Sequence, residues 1–301
     1  MFKNVSRGLF KRKKEGNLLL NQRIEKPLYG QKSVKNRNEA NEQQASTSPL
    51  NLKRIPKIIS IGGGKGGIGK SFLSANISIS LATMGYKVAL FDLDLGAANL
   101  HTCLGISSPK VGISDYLLNK VNQIEEIGVP AGVSGLTLYG GGQEFWQQIR
   151  PTSEQKIKLI RHLQEMDADY VILDLGAGTH TNTLDFFVFS HSGILVVLPE
   201  PTSIENAYVF LKSVLFRNIQ SIAKSLEQDE ITKALLEKLS DPKVTDPPID
   251  IINKFVIDYP DIVKKILEII MGTKIGIIMN QVRNQADAHL GNSMSQICNQ
   301  Y

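Results

Sequence analysis

Short, almost unbroken apolar runs recur from residue 57 onward: KIISIG at 57–62, YKVALFDLD at 86–94, LTLYGG at 136–141, YVILDLG at 170–176, GILVVLPE at 193–200 and KIGIIMNQV at 274–282. A strand that is apolar on both faces belongs in a parallel sheet with helices packed on each side. Between the runs, residues 70–84, 153–166 and 203–217 space their apolar positions as amphipathic helices do. The last of these is expected to start at a capping box formed by Thr202 and Glu205. Alternating strand and helix predicts an α/β fold: a doubly wound, mainly parallel sheet with helices on both faces.

Two stretches depart from that rhythm. Residues 218–272 carry helical patterns, SIAKSLEQDEITKALLEKL and IINKFVIDYPDIVKKILEIIM, separated by the breaker-rich SDPKVTDPPID. This segment is expected to be a helical insertion before the strand at 274–279. Residues 1–54 are rich in Lys, Asn, Gln, Ser and Glu and lack apolar periodicity, which predicts a disordered basic extension preceding a domain at 55–301. Its first residues, MFKNVSRGLFKRKK, space Phe2, Val5 and Leu9 as a helix would, beside a cluster of cations. A plain solvated tail, a contact with an anionic membrane and a nucleic-acid contact all fit that pattern.

Charge changes the picture of partners. The chain has a formal net charge of +5, but residues 1–57 hold fourteen Lys/Arg against four Asp/Glu, leaving −5 for residues 58–301. The body is mildly acidic, which argues against DNA as a partner of the folded domain. No apolar run is long enough to cross a bilayer and no signal-peptide pattern is present, so a cytoplasmic location is expected. The two cysteines, Cys103 and Cys298, have neither metal-ligand spacing nor a disulfide framework.

The chemistry is concentrated in IISIGGGKGGIGKS, residues 58–71. Gly64, Gly66 and Gly69 satisfy G-x-G-x-x-G, and Asp92 follows at roughly the distance of a ribose-binding acid, as in a dinucleotide fold. The same stretch satisfies G-x-x-x-x-G-K-[ST] through Gly64, Gly69, Lys70 and Ser71. A dinucleotide does not need a Lys-Ser pair at the helix start, whereas a nucleoside triphosphate does. Backbone N–H groups cradle its phosphates, Lys70 neutralises β and γ charge, and the Ser71 hydroxyl binds Mg²⁺. ATP and Mg²⁺ are therefore the expected cofactors. Gly64, Lys65, Gly66, Gly67, Ile68, Gly69, Lys70, Ser71 and Phe72 are the expected nucleotide contacts.

Remaining parts of such a site belong at the carboxyl ends of neighbouring strands. Asp92 and Asp94 end the second apolar run, and Asp94, where strand gives way to loop, can orient a water near the γ-phosphate. Asp174 ends another run and can hold Mg²⁺, and the glycine amide of Gly178 that follows can sense the γ-phosphate.

Together, K-G-G-I-G-K-S, D-L-D-L-G-A-A-N and D-L-G-A-G resemble the MinD/ParA ATPases, the deviant Walker A class, over about residues 57–217 and 274–284. LDLGAGTHTNTLDFF and VLPEPTSIENAYVFLKS are most similar to the FlhG/FleN branch, which controls flagellar number and placement. The resemblance implies a slow, Mg-dependent ATP hydrolase that forms an ATP-dependent homodimer, with Lys65 reaching the partner's phosphates. It also implies that Asp94 positions the attacking water, that Asp92 supports the same switch, and that Asn280 hydrogen-bonds adenine. A flagellar or polar protein partner and contact with the inner membrane face would follow. The alternative is a partitioning or cargo-positioning ATPase that binds DNA non-specifically. Metal-cluster carriage, known among relatives, would need paired cysteines that this chain lacks.

Three features depart from that resemblance. Residues 1–54 carry no convincing glutamine-containing motif of the kind that stimulates a partner GTPase. The 218–272 insertion is longer than the usual connection. The chain ends at Tyr301 before the further adenine-side loop, sheet and amphipathic helix the resemblance implies, so either those elements are absent or the domain is truncated there.

Overall fold

The computed structural model describes residues 55–94, 98–141, 151–226, 229–241 and 248–298. The basic extension at 1–54 and the end of the chain at Tyr301 lie outside them. Seven strands form one sheet in the order β3-β4-β2-β5-β1-β6-β7. In chain order these are β1 (Lys57–Gly62), β2 (Val88–Leu93), β3 (Gly128–Pro130), β4 (Leu136–Tyr139), β5 (Tyr170–Leu175), β6 (Ser192–Val197) and β7 (Lys274–Met279). Every pairing is parallel except β3 with β4, where a three-residue edge strand runs back along its neighbour.

Alternation along the strands builds two cores. Ala89, Phe91 and Leu93 of β2 join Val171, Leu173 and Leu175 of β5 in one apolar cluster. Their neighbours Val88, Leu90 and Ile172 join the other. Side chains one residue apart point to opposite faces, so each face needs its own cover. The first cluster is closed by α4 (Ser153–Glu165), α5 (Thr181–Phe189) and α6 (Pro201–Leu226). The second is closed by α1 (Lys70–Thr83) and the short α2 (Leu100–Cys103). The fold is the doubly wound α/β arrangement. A short α3 (Ile113–Leu117) and a 3₁₀ turn (Ile124–Ile127) complete the β2–β3 connection.

Helix α6 corrects one expectation. It starts at Pro201, not after a Thr202 cap. The Glu200 carbonyl accepts the N–H groups of Ser203 at 3.0 Å and Ile204 at 3.1 Å, so Glu200 occupies the cap position. Proline is suited to a first helical residue because its missing N–H would have had no partner there. The Ser203 hydroxyl instead accepts the Leu198 N–H at 2.9 Å, pinning the turn that leaves β6.

Position 218 falls inside the same helix. The outer half of α6 packs with α7 (Asp229–Ser240), α8 (Pro248–Lys254) and α9 (Pro260–Gly272) around a separate core that includes Ile219, Ile222, Leu235, Ile252 and Ile266. The chain then returns to the sheet as β7, followed by α10 (Gln285–Cys298).

Candidate functional site

The glycine-rich loop joins β1 to α1, at the carboxyl edge of the sheet beside the point where strand order reverses around β1. Its shape depends on space as much as on torsion. A Cβ on Gly64 would sit 2.6 Å from the Asn206 carbonyl carbon, a backbone group that cannot move aside. Gly67 has open space around it but a φ of +75°, and Gly69, just before α1, has φ +92°. Both torsions lie in the left-handed region that suits glycine.

The loop's far side is braced by Asn280, directly after β7. Its Nδ2 donates to the Ile68 carbonyl at 2.9 Å, its Oδ1 accepts the Gln281 N–H at 2.9 Å, and its own N–H donates to Val197 at 2.8 Å. A Cβ on Gly69 would strike the Asn280 amide. In this structure, then, the Asn280 side chain holds the loop. Gly178, φ +84°, donates its N–H to the Gly63 carbonyl at 3.1 Å, tying the segment after β5 to the loop. Reporting on a phosphate would require that N–H to change partner.

Lys70 lies at the first position of α1 and is 6 % exposed. Burial lowers its pKa, opposed by the negative charge of Asp174 and then Asp94. Asp92 and Asp174 are partners in the β2–β5 register and share the face that packs on α1. Both carboxyls are buried, and burial first raises each pKa, to about 7 for Asp92 and about 6 for Asp174. For Asp92 the neighbouring Asp174 adds to the rise; for Asp174 the hydroxyls of Ser71 and Ser74 and the charge of Lys70 oppose it. Ser74 donates to Asp174 Oδ1 at 2.9 Å, while Asp174 Oδ2 is buried with no hydrogen-bond partner. A buried carboxylate oxygen left unpaired is costly. The pocket therefore has more buried negative charge than Lys70 alone balances.

Asp92 and Asp94 have separated roles. Asp92 Oδ1 accepts the Asp94 N–H at 3.3 Å and Oδ2 accepts the Leu100 N–H at 3.0 Å, so it clasps the chain on both sides of residues 95–97. Asp94, just past the end of β2, is half-buried, and a Cβ on Gly176 would come within 3.1 Å of its Oδ1. Gly176 thus keeps space open for the Asp94 carboxylate.

The outer end of the loop differs. Lys65 is exposed, and its Nζ lies 3.9 Å from a carboxylate oxygen of Glu200, itself more than half exposed. Phe72, on the first turn of α1, is 61 % exposed. The structure therefore gathers Lys70, Ser71, Asp92, Asp94 and Asp174 into one centre and leaves Lys65 and Phe72 facing outward. Sequence reasoning missed Ser74, Glu200 and Asn206. Ser74 was within reach, since it lies four residues after Lys70 on one helix face; the other two are brought in by the β6–α6 turn.

Comparison with known proteins places the chain in a family. The ParA family model, described as a NUBPL iron-transfer P-loop NTPase, matches residues 54–222. The chain is 30 % identical over 225 residues to the antiactivator FleN of Pseudomonas aeruginosa, covering 70 % of this chain and 77 % of FleN. It is 34 % identical over 158 residues to the flagellum site-determining protein YlxH of Helicobacter pylori, covering 52 % of this chain and 53 % of that protein, about half of its length. A solved structure of septum site-determining MinD complexed with Mg-ADP, from Pyrococcus horikoshii, is similar at 27 % identity and a TM-score of 0.46, over 51 % of this chain and 62 % of that one. The iron-transfer description is that of the family model. The only two cysteines, Cys103 and Cys298, are far apart in the chain, and the described residues hold no cluster of His, Cys, Asp and Glu fit for a metal.

Proposed function

The chain belongs to the ParA and MinD family of P-loop NTPases, similar within it to FleN and FlhG, and from that premise we propose an ATP-switched spatial regulator with slow, Mg-dependent ATPase activity. The observation that carries this reading is the unpaired, buried Oδ2 of Asp174, beside Lys70 and the hydroxyls of Ser71 and Ser74. Ser71 and Asp174 are the residues that would hold Mg²⁺, which when bound neutralises phosphate charge. Lys70 supplies a fixed cation for the β- and γ-phosphates from a dry position where its field is weakly screened. The loop amides from Gly64 to Ser71, with the start of α1, receive phosphate oxygens.

Asp94 orients the attacking water and accepts hydrogen bonds from it. Asp92 holds that carboxylate in place through the N–H groups of Asp94 and Leu100. Lys65, exposed on the same loop, reaches the nucleotide of a second copy, so that the competent site forms only in a homodimer. Asn280 turns from bracing the loop to meeting adenine. The names of the relatives, an antiactivator and a flagellum site-determining protein, support flagellar number or placement as the process regulated. Among the described residues no helix is long and apolar enough to cross a membrane.

Light scattering with and without ATP, alongside phosphate release, tests the reading. Asp94→Ala should bind ATP, lose about 10²- to 10⁴-fold in turnover and accumulate as dimer. Lys65→Ala should bind ATP and stay monomeric. A Lys65→Ala protein that dimerises like the parent would remove the role across the interface.

A further inference from the structure

Phe72 is the most exposed phenylalanine or tyrosine among the described residues, at 61 %. It follows Ser71 directly, on the first turn of α1. Farther along the same outward line of the helix the residues are polar, and each closes on its own backbone. Asn76 Nδ2 donates to the Phe72 carbonyl at 2.7 Å, the Ser80 hydroxyl to the Asn76 carbonyl at 2.7 Å, and the Thr83 hydroxyl to the Ile79 carbonyl at 2.8 Å. No apolar stripe runs on from Phe72 along that line, which therefore suits neither a partner helix nor a membrane. The exposed ring belongs to the loop end alone.

The fold sets which way Phe72 points. Ser74, Ser78 and Ala82 are on the buried side of α1, against the sheet. β5 and β2 lie on one side of β1, and β6 and β7 on the other. In a right-handed β1–α1–β2 crossover, with about 100° between successive residues of the helix, position 72 falls on the flank toward β6 and β7. Asn280, directly after β7, meets the loop from that flank, with its Nδ2 on the Ile68 carbonyl at 2.9 Å. A Cβ on Gly69, three residues before Phe72, would strike the same amide, and positions three apart are neighbours on a helix surface. Past Asn280 the chain turns at Gln281, whose φ of +56° few residues with a side chain adopt. Val282 follows, exposed. Two exposed apolar side chains thus accompany Asn280 at the end of the loop.

We propose, on the reading that Asn280 meets adenine, that Phe72 stacks on the base of the chain's own bound nucleotide. Asn280 then reads the hydrogen-bonding edge of the base while the Phe72 ring covers its face. A ring face has no donor or acceptor to match, so stacking holds a base without selecting one, and selection falls to Asn280.

Calorimetry of the full chain with Mg-ADP tests this apart from the ATP-dependent dimer. Phe72→Ala should weaken Mg-ADP about ten-fold, the worth of one base stacked on a ring, and leave Mg-pyrophosphate, which has no base, unchanged. Phe72→Tyr should bind Mg-ADP like the unaltered chain, whereas Phe72→Leu, of similar bulk without a ring, should not. Circular dichroism checks that each variant folds. Unchanged ADP affinity in Phe72→Ala, equal weakening of ADP and pyrophosphate, or full affinity in Phe72→Leu would each overturn the proposal. Loss of ATP-dependent dimerisation at unchanged ADP affinity would overturn it too, placing the ring against a second copy. All of these outcomes leave the ATPase reading standing, whereas an unaltered chain that binds no Mg-ADP would overturn both.

Discussion

Lys65 and Lys70 are five residues apart on one loop, and their surroundings assign them opposite work. Lys70 is buried at the head of α1, its charge opposed by desolvation and supported by Asp174 and Asp94. Lys65 stands in solvent, with one loose, half-exposed carboxylate at 3.9 Å. A cation in the first setting is fixed and its field is strong; in the second it is mobile and screened. A site contained within one chain would need only the inner lysine. The proposed role of the outer one in a second copy's site rests on that exposure.

The largest expected effect therefore belongs to the inner end. Lys70→Ala should cost about 2–5 kcal/mol of ATP affinity, because the phosphates lose a desolvated partner and the two buried carboxyls lose their counter-charge. Calorimetry at fixed Mg²⁺ would measure it. An equal loss in Lys65→Ala would erase the contrast between the two lysines.

The same inner charge imbalance sets a pH dependence for the nucleotide-free, EDTA-treated protein. The folded pKa values of Asp92, about 7, and Asp174, about 6, lie above the ordinary carboxylate value of 3.8. Between pH 4 and 7 the native state holds protons that the unfolded chain has released, so stability falls as pH rises through that window. The contribution is of order a few kcal/mol for the coupled pair. Urea unfolding should show higher stability at pH 5 than at pH 8, with a smaller difference in Asp92→Asn. An unchanged difference in that variant would mean that Asp92 is ionised in the folded protein throughout the window.

The glycines sharpen the contrast at smaller magnitude. Gly64→Ala drives a Cβ into the Asn206 backbone, and such overpacking costs about 1–3 kcal/mol. Gly67→Ala meets open space and is strained only by its positive φ, at about 1–2 kcal/mol. ATP affinities of both variants, with circular dichroism as the folding check, should fall in that order. The reverse order would show that torsion, not contact with α6, shapes the loop.

How far the residues alone could go follows from what kind of information each feature needs. The six apolar runs found their strands because a strand buried on both faces needs no partner to be recognised. Gly69, Lys70 and Ser71 announced a phosphate loop because the pattern is local. Ser192 begins β6 without adding to its apolar run, and the three-residue β3 has too little periodicity to register. α5 was missed because LDFFVF is apolar around nearly its whole circumference. The start of α6 went to Pro201 because backbone geometry at the β6 turn outweighed a capping pattern. The division between Asp92 and Asp94 rests on a hydrogen bond to Leu100, and the surroundings of Lys65 and Gly64 on Glu200 and Asn206. Those contacts span the fold and leave no mark at the loop's own positions.

Glu200 offers the finest test of the comparison. An exposed ion pair at 3.9 Å contributes about 0–1 kcal/mol, so Lys65 is held in its own chain only weakly. Glu200→Gln should leave monomer ATP affinity unchanged within about two-fold, since neither end of the pair belongs to the buried centre. Its effect should fall on the proposed dimer, where releasing Lys65 from a competing carboxylate would favour the partner's phosphates by the same small margin. Sedimentation across a protein concentration series with ATP would resolve a shift of that size. A large loss of ATP binding in Glu200→Gln would place Lys65 in its own chain's nucleotide site, and the two ends of the loop would then no longer differ in kind.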